Sequence, residues 1–482
     1  MQSLNLNKYY YKYMDFSKKT KIVCTIGPSS WDPAVMKQMI QAGMNVARVN
    51  GAFADEAELD KVTKLVRDVS DEVALMMDVK GPEVRMNKFS ETKNIKPGDE
   101  IIIGNGPDAE IYPGNYADLY KVLKPGQRVV IGDGDTELIV KEIVGDKMHC
   151  EVVFGEYLKP GKALNLPGAD FATSALTEKD IVNLKHSIKL GWDFVSASFV
   201  QNAESAREIK KHLEGSNMKL IAKIEDGEGV KNIDEILEVV DGVMVARGGL
   251  GVELGLEKVP MIEKTLIEKC NAVGKPVITA TQMLESMTNN PRPTRAEVND
   301  VALAVLMGTD SVMLSGESSA GKYPVEAVKE LTKVSLEIEK QVEPKVLKTR
   351  AKSAIVTDAL TKAAAEMCIN MESEVDVVIV GSRTGTTARL LGRHRINQPI
   401  YAFVSEEKFM RYLSLSKGIN RAFVYSKVYK DRDLAVKEIM SEALEKGIIT
   451  KDSRVLLIGK SPSETGEYLP NIFEVIKASS VL

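Results

Sequence analysis

Short apolar, β-rich runs recur along the chain, each followed by a stretch in which apolar residues return with a helical period. The runs fall at residues 21–26, 45–49, 73–78, 194–199, 220–224, 242–246, 277–280 and 311–314. One intervening stretch, 177–190, opens Thr177-Glu178-Lys179-Asp180, a hydroxyl-and-acid start suited to a helix N-terminus. Strands that alternate with helices predict parallel pairing. Eight such units over about 250 residues predict a closed (β/α)8 TIM barrel.

The unit after the third strand is interrupted. From about residue 86 to 158 the pattern becomes alternating and turn-rich, with Gly132-Asp133-Gly134-Asp135 and Gly145-Asp146 as hairpin turns. This predicts a small β-barrel domain inserted as a lid at 86–158, between barrel segments 19–85 and 159–340. Residues 339–352 are charged, contain Pro344 and read as a helix end and linker. The remainder, 345–482, has a second α/β pattern with strands at 375–380, 400–404, 422–425 and 455–458. Residues 1–18 read as an N-terminal tail: they hold three consecutive tyrosines, Tyr9 to Tyr11, and no apolar signal-like core.

Composition narrows the function classes. Of 482 residues, 44% are hydrophobic and 27% charged, a globular balance. A net charge of -4 argues against a nucleic-acid or anionic-membrane partner, since both require clustered positive charge. No uncharged apolar run reaches the ~18 residues of a membrane span; the stretch 301–314 is broken by Asp310. Cys24, Cys150, Cys270 and Cys368 form no CxxC pair and read as small buried hydrophobes, which fits a reducing, cytoplasmic setting.

Barrel chemistry collects on the loops after the strand C-termini. Here those loops carry Arg48 and Asn50, then Asp78, Lys80, Glu83 and Arg85, then Ser198-Phe199, Lys223 and Glu225, Arg247-Gly248-Gly249, Thr281-Gln282 and Ser315-Gly316-Glu317. None is a histidine. Cations, carboxylates and hydroxyls on one rim suit an anionic phosphorylated substrate with a divalent metal. Lys223 alternates with apolar Ile221 and Ile224, so its ammonium is expected to be buried and to need an anionic partner: Glu225 or Asp226 within the protein, or a phosphate. Thr281 and Ser315 taken alone are better explained as hydrogen-bonded barrel hydroxyls than as catalytic ones. Gly248-Gly249 is either a turn or a pair of N–H donors for an anion.

Several segments resemble pyruvate kinases, in order along the chain. They are Thr20-Lys21-Ile22-Val23-Cys24-Thr25-Ile26-Gly27-Pro28, Gly43-Met44-Asn45-Val46-Ala47-Arg48 and Asp78-Val79-Lys80-Gly81-Pro82-Glu83-Val84-Arg85. Lys223-Ile224-Glu225, Met244-Val245-Ala246-Arg247-Gly248 and Ala280-Thr281-Gln282-Met283-Leu284-Glu285-Ser286-Met287 follow. The most specific is Pro291-Arg292-Pro293-Thr294-Arg295-Ala296-Glu297, ahead of Met313-Leu314-Ser315-Gly316-Glu317. The resemblance implies Mg²⁺- or Mn²⁺-dependent phosphoryl transfer from phosphoenolpyruvate to ADP in glycolysis, by a cytoplasmic, allosteric homotetramer. It implies that Arg48 and Lys223 bind the transferring phosphoryl group, that Glu225 ligates the divalent metal, and that Gly248, Gly249 and Thr281 hold the substrate carboxylate. Thr281 and Ser315 would lie on the route of the proton. Asn50, Asp78 and Val79 would belong to a K⁺ site, and Asn50, Arg85 and Lys162 to the nucleotide side.

Two places depart from the family pattern. Arg-Gly-Asp-Leu-Gly becomes Arg247-Gly248-Gly249-Leu250-Gly251, removing a metal-ligand aspartate. Arg-X-Asn-Phe-Ser-His-Gly becomes Arg48-Val49-Asn50-Gly51-Ala52-Phe53-Ala54, and Val79 replaces the usual threonine, while Glu83, which accompanies potassium dependence in the family, remains. These changes leave a catalytically degenerate homologue, acting as a regulatory or assembly subunit, as the alternative; a metal-dependent aldolase or lyase barrel is a third. In the C-terminal part, Ser382, Thr384, Gly385, Thr386 and Thr387 form a turn entering a helix. It is either a capping turn or, by resemblance, a loop for a sugar-phosphate or nucleotide effector. The closing segment 460–470 keeps a polar loop but lacks the family's Gly-Trp start.

Overall fold

A computed structural model describes residues 18–81, 84–87, 91–105, 109–113, 116, 118–132, 134–168, 175–349, 354–427, 431–459 and 472–482. Its centre is a closed barrel of eight parallel strands: Lys21–Thr25, Val46–Asn50, Ala74–Val79, Phe194–Ala197, Lys219–Ile224, Gly242–Ala246, Val277–Ala280 and Ser311–Leu314. Each of the eight apolar runs became a strand. The fourth ends two residues before its predicted end because Phe199 turns to φ +53°, outside the β region. Helices cover the barrel, and helix Glu178–Lys189 starts at a capping box in which Thr177 and Asp180 exchange hydrogen bonds.

The insert after the third strand is a five-stranded antiparallel sheet, Glu100–Gly104, Arg128–Ile131, Thr136–Val144, Lys147–Phe154 and Leu164–Asn165. Its two hairpins turn where the glycines predict, and Gly145 takes φ +63°, open to glycine without strain. It has its own core of Ile101, Ile103, Val129, Leu138, Val140 and Met148.

The C-terminal unit is a second α/β layer. Four parallel strands, Ile419–Val424, Ile400–Val404, Val377–Gly381 and Arg454–Gly459, lie in that spatial order. A fifth, Ile472–Lys477, was not anticipated and pairs antiparallel at the edge. The four cysteines are free and buried. Among the described residues no helix is long and apolar enough to cross a membrane.

The C-terminal unit meets the barrel at its floor, where the strands begin. Asp193, just before the fourth strand, receives Arg411 Nε at 2.7 Å and Leu75 N–H at 2.9 Å. Asp310, just before the eighth, receives Lys417 N–H at 2.9 Å, Arg395 at 3.1 Å and Val277 N–H at 3.1 Å. Glu72 pairs with Arg421. Two of these carboxylates therefore tie neighbouring barrel strands together and anchor the second unit at once.

Candidate active site

Arg48, Asp78, Lys223 and Glu225 meet at the rim opposite the floor. In-register parallel pairing places Thr25 beside Arg48, and Asp78 beside both Asn50 and Ser196. Arg48 donates to Thr25 Oγ1 at 2.8 Å and pairs with Asp78 Oδ2 at 2.6 Å. Asp78 Oδ1 accepts Ser196 Oγ at 2.7 Å and lies 3.5 Å from Lys223 Nζ. Lys223 donates to Ser198 Oγ at 2.7 Å and pairs with Glu225 Oε1 at 3.2 Å, its side chain 12% exposed. Glu225 Oε2 accepts the Phe199 N–H at 3.0 Å, which the left-handed turn at Phe199 aims at it.

The partners of Lys223 within the protein are thus Glu225 and Asp78. Asp226 caps helix Gly227–Lys231 through Gly229 N–H and accepts Gln201. Burial works against the Lys223 charge, but the Asp78 and Glu225 carboxylates outweigh it and hold the ammonium above the usual lysine range. Burial would likewise raise the Asp78 carboxyl; the charges of Arg48 and Lys223, with the Ser196 hydrogen bond, hold it below the usual carboxylate range.

Gly248 lies in the first turn of helix Arg247–Leu254 and donates its N–H to Thr281 Oγ1 at 2.9 Å. Thr281 and Gln282 both take positive φ, +68° and +53°, a backbone state that costs a non-glycine residue of order 1–3 kcal/mol and needs support. Arg247 supplies it, donating to Thr281 O at 2.7 Å while anchored on Asp300 at 2.6 Å. Gly249 lies against Glu225: a Cβ placed on it would come 3.1 Å from both Glu225 Cβ and Glu225 O. Ser315 N–H donates to buried Glu317, whose other oxygen accepts Leu284 N–H, so one carboxylate joins the seventh and eighth loops.

The remaining residues lie farther along the chain. Arg85 donates to Gly161 O at 2.9 Å and bridges Ala163, where the insert joins the barrel. Lys162 is there too, 3.3 Å from Asp135. Asn50 Oδ1 accepts the Ala52 N–H at 3.1 Å, and Val79 O accepts Ser198 Oγ at 2.9 Å. In the C-terminal unit Ser382 Oγ accepts Thr387 N–H, Thr384 and Thr386 hydroxyls meet at 3.1 Å, and Gly385 takes φ +80°. Glu83 and segment 460–470 lie outside the described residues.

The barrel-domain model of pyruvate kinase matches residues 17–328, and its alpha/beta-domain model residues 358–476. The chain belongs to the pyruvate kinase family. It is 41% identical over 450 residues to the pyruvate kinase of Sporosarcina psychrophila, covering 89% of this chain and 75% of that protein. To that of Clostridium acetobutylicum it is 38% identical over 465 residues, covering 92% and 97%, and to that of Geobacillus stearothermophilus 38% over 487 residues, covering 96% and 81%. Kinship at this level with named pyruvate kinases supports the same activity here, a phosphotransferase, and nothing in it favours the degenerate alternative. The family also implies a divalent metal.

Some rim residues carried no readable role in the sequence. Ser198, Arg247 and Glu317 sit at strand ends, but their bonds reach across to other loops. Asp180 accepts the N–H groups of Lys80 and Gly81, fixing the third loop from the helix that follows the insert. Its capping-box position was the available signal.

Proposed function

We propose that the chain transfers the phosphoryl group of phosphoenolpyruvate to ADP, giving pyruvate and ATP. The observation that carries this is the rim pair Arg48 and Lys223, two cations on neighbouring carboxylates, with the Lys223 side chain 12% exposed. Lys223 and Arg48 would receive the phosphoryl oxygens and offset the charge they gather in a loose transition state, where positioning and electrostatics do most of the work. The Gly249 N–H at a helix start and the Thr281 hydroxyl, which the Gly248 N–H fixes at 2.9 Å, suit the substrate carboxylate. Thr281 and Ser315 would pass the proton to the enolate carbon. Arg85 and Lys162 at the insert junction suit ADP phosphates, the resemblance adds Asn50 to them, and closure of the insert would exclude water.

Glu225 suits Mg²⁺ or Mn²⁺. Its carboxylate is 11% exposed beside Lys223, and Gly249 packs against it without contributing an oxygen. Among the described residues no group of three metal-binding side chains occurs. Mg²⁺ accepts one or two carboxylates with substrate oxygens and water completing its shell, so the residues fit an ion held jointly with substrate. When bound, it would neutralise substrate carboxylate and phosphate charge. For K⁺, the resemblance assigns Asn50, Asp78 and Val79. A sugar-phosphate or nucleotide effector at Ser382, Thr384, Gly385, Thr386 and Thr387, a homotetramer, and a cytoplasmic, glycolytic setting belong to the same proposal.

The test is turnover of phosphoenolpyruvate and ADP coupled to lactate dehydrogenase, across Mg²⁺ and Mn²⁺ concentrations. A metal-dependent rate is expected. No rate above background at saturating metal rejects the reading.

A further inference from the structure

Resting on the kinase reading, we infer that this enzyme needs no potassium ion, because among the described residues the rim offers no free set of oxygen ligands for a monovalent cation, although Glu83, outside them, is kept. A cation leaves water only where oxygens replace its hydration shell. The resemblance assigns Asn50, Asp78 and Val79 to the site, and at 52, where the family motif has a serine, this chain has Ala52. Ala52 has no side-chain oxygen, and its carbonyl accepts Lys179 Nζ at 3.0 Å. Asn50 Oδ1 is turned back onto the Ala52 N–H at 3.1 Å. Asp78 spends one oxygen on Arg48 at 2.6 Å and the other on Ser196 at 2.7 Å, with Lys223 3.5 Å away. The Val79 carbonyl accepts both the hydroxyl and the N–H of Ser198, at 2.9 and 3.3 Å. One donor is gone and three are engaged.

Charge points the same way. Arg48 and Lys223 balance Asp78 and Glu225, so the cluster is neutral without an added ion. A monovalent cation at Asp78 would face the Arg48 guanidinium 2.6 Å from that carboxylate, with no substrate anion between them, whereas the divalent ion proposed above sits at the Glu225 end and shares the substrate's own charges. A carboxylate at 249 would stand against Glu225, since the two Cβ atoms would be 3.1 Å apart, and would leave the cluster one negative charge in excess. Beside Glu225 that charge would fall to the divalent ion, so the change at 249 bears on Mg²⁺ and the missing hydroxyl at 52 on the monovalent cation.

Two measurements test this on the full chain. Initial rates with phosphoenolpyruvate, ADP and Mg²⁺ are compared in potassium chloride and tetramethylammonium chloride at equal ionic strength. Thermal unfolding is followed in the same two salts without substrate, where an ion that binds the folded state raises the midpoint. Rates within about twofold and coincident midpoints are expected. A potassium-specific gain of about tenfold or more in rate, or a saturable potassium-specific rise in midpoint, overturns the inference. A protein with no turnover in either salt rejects the kinase reading instead, and the midpoints alone then decide the cation. As a positive control, Ala52→Ser, which returns the missing side-chain oxygen, is expected to acquire a potassium-specific rise in midpoint; a folded variant as indifferent to potassium as the parent overturns the argument from the lost ligand.

Discussion

The Lys223 ammonium is held 2.7 Å from Ser198 Oγ, and Ser198 is itself fixed by donating to the Val79 carbonyl at 2.9 Å. A hydroxyl pinned to one strand thus orients the cation of another. Removing it leaves a buried donor without its closest acceptor, a cost of about 1–3 kcal/mol. Ser198→Ala is expected to lower kcat about tenfold, with the KM for phosphoenolpyruvate changing less, and Ser198→Thr to restore part of it. Steady-state kinetics check both; a variant that alters KM alone contradicts the positioning role.

Gly249→Asp places a second carboxylate beside Glu225, provided Glu225 yields by a few tenths of an ångström. Changes around a metal typically move affinity by about 10–100-fold, so the variant is expected to need that much less Mg²⁺ for half-maximal rate. Titration of turnover with Mg²⁺, and of Mn²⁺ binding without substrate, measures it. An unchanged metal requirement would show that Glu225 and substrate oxygens already suffice.

Asp310→Ala removes the acceptor of Lys417 N–H, Arg395 and Val277 N–H in one step. Breaking a buried pair from one side costs ~3–5 kcal/mol. Urea unfolding is expected to show a loss of that order; a loss no larger than that of an exposed substitution would mean the floor contacts carry little.

Lys417 is buried at the same interface and donates to the Val305 carbonyl. Burial, and then Arg395, lower its ammonium to about 7, with Glu339 and Asp310 opposing and Lys19 adding to the fall. Its folded pKa lies below its unfolded one, so between about pH 7 and 10.5 the unfolded chain holds more protons. Stability should therefore gain from this group as pH rises through that window, by at most ~1.4 kcal/mol per unit. Unfolding measured at pH 7 and 9 should show a smaller rise for Lys417→Met than for the parent. Equal rises would place the proton elsewhere.

The barrel was legible because each strand is an apolar run bounded by breaks, a local property. Residues 242–246, 277–280 and 311–314 became strands without adjustment. The fourth strand was read too long because nothing local announces that Phe199 will leave the β region to present its N–H to Glu225. The edge strand Ile472–Lys477 was missed because it follows a polar stretch of sequence and pairs opposite to its neighbour. At the rim, residue types were readable but pairings were not. That Lys223 would face Asp78 as well as Glu225 depends on the in-register neighbours Ser196 and Asp78, a relation between segments more than a hundred residues apart. Asp193 and Asp310 carried no signal for the same reason: their partners lie on the far side of the sequence.

Because Asp310 fixes the first residue of one barrel strand and the backbone of the C-terminal unit with the same carboxylate, the two units are not interchangeable parts. A chimaera that borrows its C-terminal half from a relative must import a guanidinium at 395 and the backbone course at 417 along with it. Otherwise the seam would fail inside the barrel wall, at Val277, and not only at the surface where the halves were joined.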